Sequence, residues 1–251
     1  MRRRLGGLRR SLQRRIHAFR NPPGMKTGRY RPPVPDTPPT KADQKATDAF
    51  HVAYYQAWLD RRGTKDLHWF GYRTIKTPMD MWIYQEIVSE TRPEVIVECG
   101  TAWGGSSLYF ASLFDLLGRG EVITIDIEVR GNQPEHPRIT RIVGSSTDPA
   151  VAEDVRRRVG GRKTMVILDS DHHEPHVSGE LRAYSGLVSV GCYLVVEDTN
   201  LNGHPVVPDH GPGPMEAVEA FLPAAPEFEV DRSRERFMLT LNPGGFLKRV
   251  R

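Results

Sequence analysis

The sequence predicts an α/β fold: a mostly parallel, seven-stranded sheet with helices on both faces and a helical extension at its N-terminus. Three observations carry that prediction. From Pro93 onward, short runs rich in Val and Ile alternate with longer helical stretches. The first of those runs ends in a glycine-rich turn that opens a helix, as at the crevice of doubly wound sheets. The chain has 251 residues, 38% of them hydrophobic, which suits one such domain with an added segment.

In residues 1–20, Leu5, Leu8, Leu12, Ile16 and Phe19 recur at spacings of three and four between arginines. One apolar stripe on a basic helix fits an anionic membrane surface, and equally a helix packed on the core or on a partner. Residues 21–40 are proline-rich and read as an extended linker. A helix follows over Ala42 to Arg62, then the aromatic segment His68 to Tyr72, then a second helix from Pro78 to Glu90. The expected division is a basic tail over 1–40, a helical cap over 41–92 and a Rossmann-like domain over 93–251.

Within that domain strands are expected near 94–98, 121–126, 138–143, 164–169 and 191–197, with helices near 104–117, 148–159 and 176–186. A Pro/Gly-rich loop at 201–214, a short helix at 215–222 and two late strands near 227–230 and 236–241 complete the chain.

The net charge of +4 hides an asymmetry. Residues 1–31 hold eleven Lys or Arg and no acid, leaving 24 basic against 31 acidic residues in the remainder. The basic character belongs to the tail, so a nucleic-acid partner for the domain is not expected. Cys99 and Cys192 fall in or beside apolar β runs and read as small core residues. With no secretory pattern and no run near the roughly 18 apolar residues a membrane span requires, the expectation is a soluble cytoplasmic protein. Peripheral contact at the inner membrane face through residues 1–20, and homo-oligomer formation, stay open.

The glycine turn reads Glu98-Cys99-Gly100-Thr101-Ala102-Trp103-Gly104-Gly105-Ser106. Its spacing is not the Gly-x-Gly-x-x-Gly of dinucleotide binders. It resembles the first motif of S-adenosylmethionine (SAM) methyltransferases, whose acidic residue and glycines surround the amino acid part of the cofactor. Such sheets commonly end with one strand inserted antiparallel. Candidate cofactor contacts are therefore Glu98, Gly100, Thr101, Gly104 and Ser106. Asp126 ends the second strand, where an acid can accept both ribose hydroxyls. Ser146, after the third strand, is a candidate for the adenine, although Thr147 or Asp148 explains the segment nearly as well as a helix N-cap.

Acids and histidines cluster after the fourth and fifth strands, in Asp169-Ser170-Asp171-His172-His173-Glu174-Pro175-His176 and Glu197-Asp198. Adjacent parallel strands bring such ends together, and close carboxylates need a cation. Oxygen ligands favour Mg²⁺, with Asp171, Glu197 and Asp198 as the expected set. Asp169 is left to hold the strand end or to contact the cofactor. A Zn²⁺ or Fe²⁺ site using the histidines is the alternative, and so is a purely structural acid cluster. Metal-assisted deprotonation of a hydroxyl also calls for a base, for which His173, His172 and His176 are candidates, His173 first.

Met79-Asp80-Met81-Trp82 through Tyr84-Gln85-Glu86-Ile87, the glycine motif, Ser145 to Pro149, Leu168 to His172, Val196 to Pro205 and Gly211 to Pro214 together resemble the rhamnosyl O-methyltransferase and cephalosporin hydroxylase family over residues 66–248. The resemblance implies the class I methyltransferase fold, SAM, and Mg²⁺ on the acids at Asp171, Glu197 and Asp198. One branch methylates a deoxysugar hydroxyl, often rhamnose on a glycolipid, and the loop after Asn200 looks closer to it. The other branch is associated with cephalosporin 7-hydroxylation and methoxylation. Catechol-type relatives carry a lysine three residues after the first metal aspartate. Counting from Asp171, Glu174 stands there and excludes that base. The loop from Asn202 to Pro214 reads as a lid or acceptor wall, in which His204 and His210 are more often merely exposed. Trp69, Phe70 and Trp82 are expected to pack in the core rather than to stack on an acceptor.

Overall fold

The structure is a computed structural model that describes residues 28, 40–60 and 67–251. The basic stripe over 1–20, and the proline-rich segment apart from Gly28 and Thr40, lie outside the described residues. Helix α1 (Lys41–Leu59) starts at a reciprocal cap in which Asp43 and Thr40 exchange side-chain and backbone bonds. The two-residue strands β1 (His68–Trp69) and β2 (Tyr72–Arg73) form a small hairpin. Helix α2 (Pro78–Thr91) begins at Thr77, whose hydroxyl accepts from the Asp80 amide, with Pro78 in its first turn.

The domain that follows alternates β3 (Val95–Cys99), α3 (Gly105–Leu117), β4 (Glu121–Asp126), β5 (Ile139–Val143), α4 (Pro149–Val159), β6 (Thr164–Leu168), α5 (Glu174–Tyr184) and β7 (Tyr193–Val196). Helix α6 (Pro214–Phe221), β8 (Phe228–Val230) and β9 (Phe246–Arg249) complete it. The seven-stranded sheet runs β5-β4-β3-β6-β7-β9-β8. All neighbours up to β7 are parallel, and β9 is inserted antiparallel between β7 and β8. The expected fold class is therefore what forms. Asp148 supplies the cap of α4, its carboxylate accepting from the Ala150 amide.

Every residue of β3, β6 and β7 is buried, as both faces of a covered parallel sheet require. Val95, Val97 and Cys99 join a cluster with Val155, Val177, Leu181, Tyr184 and Val218, under α4, α5 and α6. Ile96 points the other way, with Ile83, Tyr84 and Ile87 of α2 and Tyr109, Phe110 and Phe114 of α3. Both cysteines are free and buried, in keeping with small core residues.

One strand lies elsewhere than expected. Residues 236–241 form no strand, and the last strand is β9. The alternating apolar pattern at 236–241 misleads because Leu241 is held by an Asp80 side chain and by the Asn200 amide, and not by a neighbouring strand. Asp80 Oδ2 accepts from the Leu241 amide at 3.0 Å, and Asp80 Oδ1 from the Thr240 hydroxyl at 2.5 Å. Leu239 and Leu241 are buried all the same, which accounts for the pattern. Among the described residues, no helix is long and apolar enough to cross a membrane.

Candidate active site

The ends of β3, β6 and β7 meet at one cleft because the sheet runs straight through these neighbours. The cleft has a volume of about 170 Å³, and its walls include Gly100, Thr101, Ser106, Asp169, His172 and Asp198. Gly100 is forced to be glycine twice over. Its φ is +100°, and a Cβ there would lie 1.8 Å from the Asp169 carbonyl oxygen. The turn after β3 is thereby pressed onto the end of β6. Gly104 has φ +77° and starts α3 without a side-chain cap, leaving the first amides of α3 without a capping side chain.

Among the expected cofactor contacts, Gly100, Thr101, Ser106 and Asp169 line the cleft. Glu98 is wholly buried and turned inward. Its Oε2 accepts from Ser107 Oγ at 2.5 Å and Thr124 Oγ1 at 3.0 Å, while Oε1 has no partner. Asp126 Oδ2 accepts from the Ala102 amide at 2.8 Å, so the end of β4 is tied to the glycine turn. Ser146 stands further off, its Oγ 3.0 Å from His176 Nε2.

Asp169, His172 and Asp198 each bring one ligand atom within 4.8 Å of the others, and His172 Nε2 lies 3.1 Å from Asp198 Oδ2. This set differs from the expected one of Asp171, Glu197 and Asp198. Asp171 is half exposed and turned to its own loop, where Oδ1 meets the His173 amide and Nδ1 at 2.9 and 2.7 Å. Its slight burial would raise its pKa, but the bonds to His173 outweigh that and lower it. Counted from Asp169 instead, the third residue on is His172 and not Glu174.

Glu197 stays beside the cluster but is committed inward. Its Oε1 bonds Lys76 Nζ and accepts from the Tyr84 hydroxyl at 2.6 Å. Lys76 Nζ also reaches Asp169 Oδ2 at 2.8 Å. Burial drives Glu197 well above the ordinary carboxyl range, with Asp169 adding to it and Lys76 opposing. Burial likewise raises Asp169 to about 6, against the pull of Lys76. Burial alone would lower the Lys76 ammonium, but Asp169 and Glu197 outweigh it and raise it.

The three candidate bases part company. His172 is in the cleft. His173 is largely exposed and stacks on His210 with ring centroids 5.2 Å apart. His176 lies in a polar network with Ser146, Ser170 and Glu180, and its bond to Glu180, the largest influence, raises its pKa. The loop wall is tied down by Glu216, which accepts from the Gly213 amide at 2.7 Å and Asn202 Nδ2 at 2.8 Å and meets His204 Nε2 at 3.0 Å.

The aromatic expectation holds in part. Trp69 packs edge-on against Tyr109 at 5.0 Å, but Phe70 is 81% exposed and Trp82 58% exposed, so neither is a core residue. Sequence reasoning missed Lys76, Tyr84 and the pair of arginines, Arg73 and Arg130, set 4.1 and 5.7 Å from the Trp103 ring. Tyr84 falls in a segment that carries the family resemblance but with no role attached, and the other three carry no motif; all are placed only by the hairpin, the segment after it, α2 and the loop after β4.

A parallel sheet closed by one antiparallel insertion, with an acid cluster beside the glycine turn, defines a Rossmann-like methyltransferase. The profile of the rhamnosyl O-methyltransferase/CmcI family matches residues 61–250. The chain belongs to that family and is an O-methyltransferase. A rhamnosyl O-methyltransferase of Mycobacterium tuberculosis is 40% identical over 210 residues, covering 80% of this chain and 84% of that protein. One of Mycobacterium leprae is 39% identical over 212 residues, covering 82% and 93%. A solved structure of CmcI with Mg and SAM superposes with TM-score 0.61 at 23% identity, covering 88% of this chain and 90% of that one. That last likeness is one of fold.

Proposed function

We propose that this chain transfers the methyl group of SAM to a sugar hydroxyl, rhamnose-like, of a glycolipid or glycosylated natural product, with Mg²⁺ at the acid cluster. The observation that carries the reading is the joining of Asp169, His172 and Asp198 to the glycine turn in one cleft. Two carboxylates within 4.8 Å of each other, with an imidazole at the same range, suit a small divalent cation on oxygen ligands with a base beside it. They do not make the two-histidine, one-carboxylate triad of iron oxygenases, which disfavours the hydroxylation alternative. The sugar acceptor is supported by the 40% identity to a relative named for rhamnosyl methylation.

Bound in this cleft, SAM supplies an activated methyl group and Mg²⁺ lowers the pKa of the acceptor hydroxyl. The protein's part is to align that hydroxyl and to take its proton. Asp169 and Asp198 would hold the metal, and Glu197, kept inward by Lys76 and Tyr84, stands behind them. His172 would receive the proton on Nδ1, its Nε2 being turned to Asp198. Asp126 would accept the ribose hydroxyls, and the unpaired Oε1 of Glu98 leaves a buried acceptor at the foot of the glycine turn. The loop from Asn202 to Pro214 would form the acceptor wall.

The test is methyl transfer from labelled SAM to a panel of rhamnosides, with Mg²⁺ or with EDTA. Transfer to a rhamnoside that EDTA abolishes supports the reading. Oxygen consumption with a 2-oxoacid and Fe²⁺, without methyl transfer, refutes it.

A further inference from the structure

We infer that the buried ammonium of Lys76 is a built-in counter-cation of the acid cluster, holding Asp169 and Glu197 in place without metal and freeing the fold from dependence on it. The inference rests on reading the cluster as a divalent-metal site.

Lys76 comes from the segment between β2 and α2, yet its side chain is 1% exposed and ends among carboxylates from β6 and β7. A lysine is almost never buried to this degree without partners, and here both are acids. Tyr84 of α2 donates to the same Glu197 oxygen, and its ring lies 5.7 Å from the ammonium. A charged donor and a neutral one thus fix Glu197 from outside the sheet.

The short strap that carries Lys76 is itself held at both ends. Gly105 admits the Arg73 carbonyl and Thr74 Oγ1 where a Cβ would lie 2.2 Å from each. At the other end Thr77 caps α2, and its hydroxyl also donates to Asp80 Oδ2 at 2.8 Å. The ammonium is therefore delivered by packing and not by an adaptable loop.

Charge gives the consequence. Asp169, Glu197 and Asp198 bring three carboxyl groups to one place, and the Lys76 ammonium sets one positive charge against two of them. Without Lys76, the buried Glu197 and the part-buried Asp169 lose the ammonium they share until metal arrives. Metal and ammonium then act partly in the same role, so removing one must raise dependence on the other.

The experiment melts wild type, Lys76→Met and Lys76→Arg in EDTA and in excess Mg²⁺, and titrates each with Mn²⁺ by electron paramagnetic resonance. Wild type is expected to melt cooperatively in EDTA and to gain only a few degrees from Mg²⁺. Lys76→Met should lose about 10 °C in EDTA and recover at least half with Mg²⁺. Its Mn²⁺ dissociation constant should tighten about tenfold, because a positive charge has left the side of the ligands. Lys76→Arg should follow wild type. Equal Mg²⁺ increments and equal Mn²⁺ affinity in wild type and Lys76→Met would overturn the inference while leaving the metal site standing. Failure of wild type to bind metal would overturn both. Should Lys76→Met not fold at all, wild type decides alone: unfolding in EDTA that Mg²⁺ reverses refutes the inference, and an EDTA melt within a few degrees of the Mg²⁺ melt upholds it.

Discussion

Replacing Gly100 by alanine should disturb the end of β6 and the cleft together. The added Cβ would sit 1.8 Å from the Asp169 carbonyl oxygen and 2.5 Å from its carbon, and both atoms are backbone. The carbonyl must retreat by more than 1 Å to restore a contact near 3 Å, since 3.0 less 1.8 leaves 1.2. That movement breaks the bond from the Asp169 amide to the Cys99 carbonyl at 2.8 Å. A left-handed φ on alanine adds roughly 1–2 kcal/mol, and the forced backbone shift roughly 1–3 kcal/mol more. The sum, about 2–5 kcal/mol, corresponds to a Tm lower by about 10 °C for a chain of this size. Gly161→Ala is the control, because its φ is +75° with nothing within 4 Å of the new Cβ. It should cost only the backbone part, about 1–2 kcal/mol or roughly 4 °C. Thermal melts by circular dichroism, paired with Mn²⁺ titration, read both effects. If the two variants melt alike and Gly100→Ala keeps full Mn²⁺ affinity, the close approach of the glycine turn to β6 does not position the site.

Two further outcomes follow from the same geometry. Burial raises the Asp169 carboxyl to about 6 from its ordinary 3.8, so the folded state holds this proton more tightly than the unfolded chain. Its contribution favours the fold below the unfolded pKa and is lost as pH rises through about 6. Metal binding needs the carboxylate and so runs the other way. Mn²⁺ affinity should fall about tenfold per pH unit below that value, and a flat affinity there would remove Asp169 from the ligands. At the loop wall, Glu216→Gln weakens the charge-assisted bonds to Gly213, Asn202 and His204, and acceptor KM should rise about threefold to tenfold while SAM affinity holds. An unchanged acceptor KM would show that the loop does not depend on this anchor.

Much of the scaffold can be read from the chain. The βα rhythm after Pro93 announces the parallel sheet, because strands buried on both faces appear as unbroken apolar runs such as Val95-Ile96-Val97. The last strand is misread because burial and pairing separate there. Leu239 and Leu241 are apolar and buried, but the Leu241 amide goes to a side chain of α2 and not to a neighbouring strand. The site is half legible for a similar reason. Glycines and strand-end acids occupy motif positions, so the cleft can be located. Which acid of Asp169-Ser170-Asp171 faces inward depends on how the loop leaves β6, and spacing alone says nothing of it. Lys76 is the extreme case: a lone lysine in an unremarkable segment, charged and buried only because the hairpin and α2 fold over the sheet's edge.

One cleft at the ends of β3, β6 and β7, with Asp126 of β4 tied to its glycine turn, is proposed to bind SAM and a divalent cation for methyl transfer. Calorimetric titration of SAM into wild type and Asp126→Ala, each with and without Mg²⁺, tests it most directly. Saturable binding to wild type is expected, with an affinity about tenfold to a hundredfold weaker in Asp126→Ala, where the carboxylate that would take the ribose hydroxyls is gone. Absence of binding to wild type under either condition, or equal affinity in the two proteins, would contradict it.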